Sequence, residues 1–499
     1  MWYDIGSFFA DSPVPIMDDR VFSLLVLIPL ASAAAQPLPE GVVARIAPAA
    51  GEPKFTGRIW TALSPEGRTV AVTDEAGRLD VWNISGKRLK TLCETGPYGT
   101  TPQWSPDGRR LYSSHAEGVA IWDVMNAGEP RVLAGGHKSS EVRQIALSPD
   151  GKFVVAGWRG PVTICWDLET GRERWRTEYW GPIGISADSR HVVKSYFSGR
   201  FEFLDASTGK EKSSFGPPLI ACTLVARDSF TMSPDGDHMA VSSDGHVCMR
   251  DVRDGKELWW QTVSPRTSVP LAYSPDGHWL AAGAGLNPQI YDAATGEWLW
   301  QFESHGSKNL TTIDFTPDSR RILTASSDGT ALLRELAPTG PAPVDLWSAL
   351  RSDDGKEIYA AIWALARDSK GPAALRAHLQ AVPRLSAPEL DRLIADLDAN
   401  RHAVRERATR ALSDQGRAAL PALRAALARG LSPEASARLE KLIQACSGEL
   451  TPAEIVHRRA VKAMSLAGTP EARALLAEWA AGEPGAVLTD AARAILARR

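Results

Sequence analysis

Five cysteines, Cys93, Cys165, Cys222, Cys248 and Cys446, are the first candidates for redox or metal chemistry. Their odd number, the absence of any CxxC pair and the lack of a nearby His at ligand spacing argue against a disulfide framework and a zinc site. Cys165 and Cys248 lie in apolar, strand-like runs, where the expected role is that of a small buried hydrophobe. A serine nucleophile would need a sharp G-x-S-x-G turn to lift its Oγ toward substrate. Gly184-Ile-Ser186-Ala-Asp188 lacks the second glycine, and Ser186 occupies a turn that recurs elsewhere in the chain. There is no HExxH helix, Walker-type phosphate loop, EF-hand loop or CxxCH haem attachment. The expectation is therefore a protein with no catalytic residue, no cofactor and no metal. Lys plus Arg at 56 against Asp plus Glu at 59 gives a net charge of -3, without the basic excess that phosphate neutralisation needs, so nucleic acid is not an expected partner.

The elements that would position any site come from internal repetition, the first thing to look for in a chain of 499 residues. A turn marker recurs at Ser64 (SPEG), Ser105, Ser148, Ser233 and Ser274 (SPDG), Ser186 (SADS) and Thr316 (TPDS), at intervals of 38 to 47 residues. Each is followed 18 or 19 residues later by a closing residue: Asn83, Asp123, Asp167, Asp205, Asp251, Asp292 and Glu335. Ser-Pro-Asp-Gly suits a β-turn, since Pro presets φ at the second position and Gly is permissive at the fourth. Apolar runs flank each turn, and a further Gly turn, as in ETGRERW or ATGEWLW, precedes a fourth strand. Four strands at a period near 40 describe a propeller blade, and seven blades close a ring. GVVARIA at Gly41–Ala47 has no blade of its own, so residues 42–47 are predicted to supply the outer strand of the seventh and abolish its open edge.

On these markers residues 37–340 resemble a WD-repeat β-propeller. The resemblance implies, in each blade, a structural hydrogen-bond network of a Gly-His histidine, a Ser or Thr, a turn Asp and the Trp of the WD pair. Gly136-His137 and Trp166 share one blade without the Asp, and His305, Ser326 and Asp328 share the last with Arg334 at the Trp position. No blade has the full set, so apolar packing is expected to carry more of the fold. Of the seventeen Trp, thirteen lie between Trp60 and Trp300, as a repeated plate between blades would require. The sequences TGRERW, DGKELW and TGEWLW are also similar to the Gly-then-Trp docking motif of quinoprotein propellers, which implies that Trp175, Trp259 or Trp260, and Trp298 or Trp300 pack on the neighbouring blade. That family's cofactor site would also want vicinal cysteines, which are absent. A quinoprotein-like enzyme or cofactor binder using the central channel is the alternative reading.

From Pro341 the composition shifts to 3.6-periodic, Ala-rich runs. Thr451-Pro-Ala-Glu454 and Ser386-Ala-Pro-Glu389 read as capping boxes, while Gly416, Gly430, Gly448, Gly468 and Gly482 sit where helices should stop. Residues 341–499 are therefore expected to form nine or ten helices. Within them Asn400–Leu427, with Val404, Arg405, Ala408, Leu412 and Gly416 on the pattern, and Arg458–Ala480 resemble HEAT-like repeats. This helical segment carries 23 basic and 19 acidic residues, a charge of +4 against -7 for the rest, which would favour weak mutual attraction. Propeller and tail together resemble a large bacterial family.

Residues 1–36 read as a signal peptide with Met17 as the expected true start: Val21–Leu30 is an apolar run of ten, and Ala33 and Ala35 offer cleavage sites. At about 1.5 Å per residue that run is too short for a bilayer core of about 30 Å, so no membrane segment is expected after cleavage. The expected location is periplasmic or secreted, with a cytoplasmic protein as the alternative. The expected function is a non-catalytic scaffold, an all-β seven-bladed propeller followed by an all-α HEAT-like solenoid, both binding protein partners. Exposed aromatic and Arg residues on variable loops are the usual anchors. The candidates are Tyr98, Trp158, Arg159, Tyr179, Trp180, Arg266 and Lys308, with the inserted connection around Gly216–Leu219.

Overall fold

A computed structural model describes residues 38–497, apart from residues 50, 97–98, 127, 136–140, 180, 197–199, 216–228, 244, 264–268, 306–307, 384 and 449. The signal-peptide segment lies outside the described residues, as does the 216–219 connection. Seven four-stranded antiparallel sheets follow one another in chain order, spanning Ile59–Cys93, Gln103–Ala134, Val142–Thr177, Ile183–Phe215, Ser229–Thr262, Leu271–Gln301 and Leu310–Glu335 for blades 1 to 7. In each blade the strands run from the inner position to the outer in sequence order. Blade 7 contributes only three strands of its own, and Val42–Ile46 is the fourth. It pairs antiparallel with Ala331–Glu335, placing Val42 opposite Arg334 and Ile46 opposite Ala331. The expected closure is thus the observed one, with Val42–Ile46 as the outer strand of blade 7.

The second and third strands of each blade are buried on both faces, with Val70, Val72, Val154, Val192, Leu280 and Leu323 fully enclosed. Pairs of neighbouring blades share these side chains, giving a chain of small cores around the ring in place of one central core. At the seam, side chains clasp the inner strands. Thr312 Oγ1 accepts from the Thr61 N–H at 3.2 Å and Asp314 Oδ2 from the Leu63 N–H at 3.2 Å.

Ten α-helices follow among the described residues: α1 Leu346–Leu350, α2 Gly355–Arg367, α3 Gly371–His378, α4 Ala387–Asp396, α5 His402–Gln415, α6 Leu420–Arg429, α7 Pro433–Ser447, α8 Pro452–Ala467, α9 Pro470–Ala480 and α10 Val487–Ala497. Both predicted capping boxes form, at Ser386 with Glu389 and at Thr451 with Glu454. Gly468 ends α8 in the left-handed conformation at φ 63°, which a side chain would strain. Two layers result. Helices α1, α2, α3, α8, α9 and α10 join blades 6 and 7 in one apolar core, whereas α4–α7 enclose a separate one around Leu397, Leu412, Leu423 and Leu439. The two HEAT-like segments therefore fall in different layers.

Candidate interaction surfaces

Antiparallel order puts the loops between first and second strands, and between third and fourth, on one face of the ring; the remaining loops lie on the other. The first may be called the turn face. Its SPDG-type turns share one internal geometry, in which the leading hydroxyl donates to the Asp two residues on, at 2.5 Å for Ser105 and Asp107 and at 2.6 Å for Thr316 and Asp318. The same hydroxyl accepts the backbone N–H five residues on, as Ser274 does from Trp279 at 2.9 Å. Consecutive turns interlock. A Cβ on Gly67 would lie 2.8 Å from Cδ of Pro317 in the neighbouring turn, so the fourth position must stay small there. Where Ser replaces Gly, at Ser189 and Ser319, the residue keeps a left-handed φ of 60° and 55°. Its hydroxyl then accepts the neighbouring turn's Asp N–H at 3.1 Å. In blade 4 the turn has Ala187 instead of Pro, and Gly184 leaves the inner strand bare. Beside them opens a hollow of about 330 Å³, lined by Pro149, Ile185, Phe230, Met232 and Pro234 among others.

The helical layer sits on this turn face at blades 6 and 7. Lys462 of α8 is buried between His278 O, at 2.9 Å, and the Asp292 carboxylate, at 2.5 Å, with its ammonium 4.2 Å from the centre of the Trp279 ring. Burial opposes ionisation of Asp292, but the Lys462 charge and the backbone N–H groups of Ala294 and Thr295 hold its carboxyl below the usual range. One turn earlier Arg459 grips Glu297 with two bonds of 2.7 and 2.9 Å and reaches Leu350 O at 2.6 Å. Tyr359 OH donates to Leu336 O at 2.7 Å, and its ring packs on Trp279, Trp300 and Trp363. Helix α2 is capped by Asp354, and its first residue must be Gly355 because a Cβ there would meet Trp298 O at 2.0 Å. The tail is therefore docked by an aromatic core and a buried ion pair, not by the weak attraction of net charges.

The closing acids of the blades find their partners in different places. Asp167 is paired with Arg174 of its own blade, Asp251 with Arg253, and Glu335 with Arg321. Blade 6 reads Asp292-Ala-Ala-Thr-Gly-Glu-Trp, with no base of its own, and Lys462 supplies it.

The opposite face, the loop face, was expected to carry the recognition residues, and the structure corrects two of them. Trp158 is 2% exposed and packs on Trp166 at 5.8 Å between blades 2 and 3. Tyr179 is 4% exposed, its hydroxyl bonded to Ser195 O and Pro182 O and its ring 4.9 Å from the Lys194 ammonium. Both are large apolar plates that close the space between blades, so neither can meet a partner. Arg159 is exposed, 3.9 Å from Glu141, and Lys308 is exposed at the start of blade 7. Tyr98, Trp180 and Arg266 lie outside the described residues. Beneath Tyr179, Lys194 and Glu202 form a buried pair at 2.9 Å, with Tyr196 OH on Glu202 at 2.7 Å. A Lys directly after the two valines of the second strand, HVVKS, was the available signal for this cluster.

The repeat network is present in fragments. Trp122 Nε1 donates to Ser113 Oγ at 2.9 Å. In blade 7 His305 bonds Thr324 and Thr330 at 2.9 and 3.0 Å, and Thr330 donates to Asp328 at 2.7 Å, while Ser326 turns to Lys308 O instead. Burial holds His305 down to about 4, against the pull of Asp328. Arg334 at the Trp position is fully buried, stacked on Phe302 and donating to Glu303 O at 2.8 Å, and burial lowers it to about 10. The predicted Gly-aromatic docking occurs at Trp175 on Gly209 and Trp259 on Gly296, each indole N–H reaching a backbone carbonyl in the next blade, Ala206 O or Ala293 O. Phe215 does the same on Gly255, but Trp300 packs on Tyr359 of α2 instead.

Among the described residues no three His, Cys, Asp or Glu side chains gather as a metal site, and no helix is long and apolar enough to cross a membrane. Residues 296–333 match the family described as WD domain, G-beta repeat, and residues 105–274 match Outer membrane protein assembly factor BamB. Meiotic recombination protein rec14 of Schizosaccharomyces pombe is 31% identical over 114 residues, covering 22% of this chain and 37% of that protein. Protein groucho of Drosophila melanogaster is 31% identical over 276 residues, 45% of this chain and 37% of its own length. The matched part thus spans little more than a third of each relative. Both come from eukaryotes, and nothing in these likenesses points to a bacterial source.

Proposed function

We propose that the chain is a non-catalytic protein-interaction scaffold whose working surface is the loop face of the propeller. One observation carries this reading: the protein's own helices occupy the turn face at blades 6 and 7, while Arg159 and Lys308 stand exposed on the loop face. Loops on a rigid ring vary without cost to the strands beneath, and Arg is among the side chains that anchor interfaces. The likeness to WD-repeat proteins supports the choice of protein partners. The BamB likeness, spanning blades 2 to 5, leaves room for the quinoprotein-type alternative, although the Gly-aromatic contacts in those blades account for its motif through packing. Mass and absorbance spectra of the purified chain separate the two, since a stoichiometric bound quinone would replace the scaffold by a cofactor protein. For the scaffold itself, partners captured by the full chain are compared with those captured by Arg159→Glu combined with Lys308→Glu. Partners retained at undiminished yield by the folded double variant would move the working surface elsewhere.

A further inference from the structure

The outermost strand of each blade presents a row of backbone N–H and C=O groups along the rim, and such edges invite pairing with another chain unless charge or cover blunts them. Blades 1 to 4 and 7 place bases there: Arg88 and Lys90, Arg131, Arg174 and Arg176, Lys212, and Arg45. Blade 6 has Trp298–Gln301 against α2. Blade 5 has neither protection. Its outer strand Glu257–Thr262, ELWWQT, contains no base, and among the described residues no strand pairs beyond it. Its alternation leaves one face exposed, with Leu258 at 44% and Trp260 at 47%. Trp259 on the other face is committed to the next blade.

The direction of the free backbone groups follows from one bond. The Val263 N–H points inward to Gly245 O at 2.8 Å. Backbone groups alternate between the two sides of an antiparallel strand, so Gln261 also turns inward while Trp260 and Thr262 turn their N–H and C=O groups out. A pairing centred on Trp260 is then self-complementary.

We propose that this strand pairs antiparallel with the same strand of a second copy of the chain, joining two propellers rim to rim about a two-fold axis through Trp260. The two Trp260 side chains face each other as a cross-strand aromatic pair, and Leu258 lies opposite Thr262. Trp259 lies opposite Gln261, and Glu257 falls opposite Val263, so no like charges meet. Isologous contacts of this kind close after two copies, so the result is a dimer and not a fibre. A five-residue overlap with two Trp and two Leu is smaller than the roughly 1,200 Å² at which standard interfaces begin, so a weak association, micromolar or weaker, is expected. The loop face of each ring stays open, so the dimer is independent of the loop-face reading.

Sedimentation velocity of the full chain from about 1 to 100 μM tests the proposal, with the expected micromolar association corresponding to about -8 kcal/mol. A concentration-dependent monomer–dimer equilibrium is expected. Trp260→Lys, which restores the missing edge charge, is expected to weaken it tenfold or more with unchanged circular dichroism, while Leu89→Lys on the rim of blade 1 leaves it unaltered. Should the lysine variant misfold, Trp260→Cys decides, because oxidation is expected to yield a disulfide-linked dimer that the unsubstituted chain does not form. A chain monomeric throughout the range, a dimer undiminished by Trp260→Lys, or a monomer that pairs this edge only with an added extended peptide overturns it.

Discussion

Helices α5 and α8 carry similar HEAT-like patterns of bases among alanines, yet they use those bases in opposite ways. In α5 only Ala408 and Leu412 are buried, and Arg405 pairs with Glu434 of α7 at 2.9 Å on the lobe's own surface. Arg438 of α7 answers with Glu406 at 2.8 Å. In α8 nine residues are buried, including Arg459 and Lys462, and both bases are spent on the propeller. The difference teaches that the helical pattern sets which residues share a face but not what that face meets. Helix α8 meets the aromatic core and the Asp292 and Glu297 carboxylates of blade 6, whereas α5 stays in a lobe held by its own leucines and rim ion pairs.

The comparison can be broken most forcefully at Lys462. Lys462→Met leaves Asp292 buried without its countercharge, and chemical denaturation is expected to show a loss of about 3–5 kcal/mol. A double change with Asp292→Asn should recover much of it; no recovery would mean the pair is not what holds the helix. Leu412→Ala, in the lobe, is expected to cost about 3 kcal/mol by leaving a cavity. Because that core is separate, hydrogen exchange should rise in α4–α7 and stay unchanged in blades 6 and 7. Arg438→Ala removes only partly exposed pairs and should shift stability by less than about 1 kcal/mol, and less still at high salt.

A separate set of effects is pH-dependent and lies at the seam of the ring. Burial pushes Asp314 up to about 6, although the N–H groups of Leu63 and Phe315 favour its charged form. Its folded value exceeds the usual one near 3.8, so its contribution is full below that point and is lost as pH rises through 6. His305, held at about 4 against an ordinary 6.5, has the opposite sign: its contribution is present above 6.5 and falls away toward pH 4. Asp314→Asn should therefore abolish the alkaline-going loss between pH 4 and 6 while leaving the acid-going loss. Thermal melts across that window read both, and identical profiles for the two proteins would show that Asp314 is not the titrating group.

Much of this architecture was legible because its signals are local. A Ser-Pro-Asp-Gly turn carries its own hydroxyl, its own Asp and its own permissive glycine, so four of them and three close variants could be counted without knowing where any blade lies. Capping boxes at Ser386 and Thr451 are equally self-contained. The recognition residues were harder, since exposure is not a local property. Trp158 and Tyr179 look like anchors by type and by their place near loops, but the flatness that suits Trp and Tyr to interfaces also suits them to the wedge between neighbouring blades. Lys462 gave no sign in its own helix, because its partner Asp292 lies 170 residues away in blade 6.

The repeat number, the use of residues 42–47 to close blade 7, and several helix starts and stops were readable from the residues alone. These follow from turn chemistry, capping and strand counting, which act over a few residues. Only the tertiary structure decided which aromatic plates are covered, which acid is matched by which base, and that α8 and not α5 seats on the ring. Burial and charge pairing are properties of surfaces brought together from distant parts of the chain, and no stretch of sequence contains both sides of such a contact.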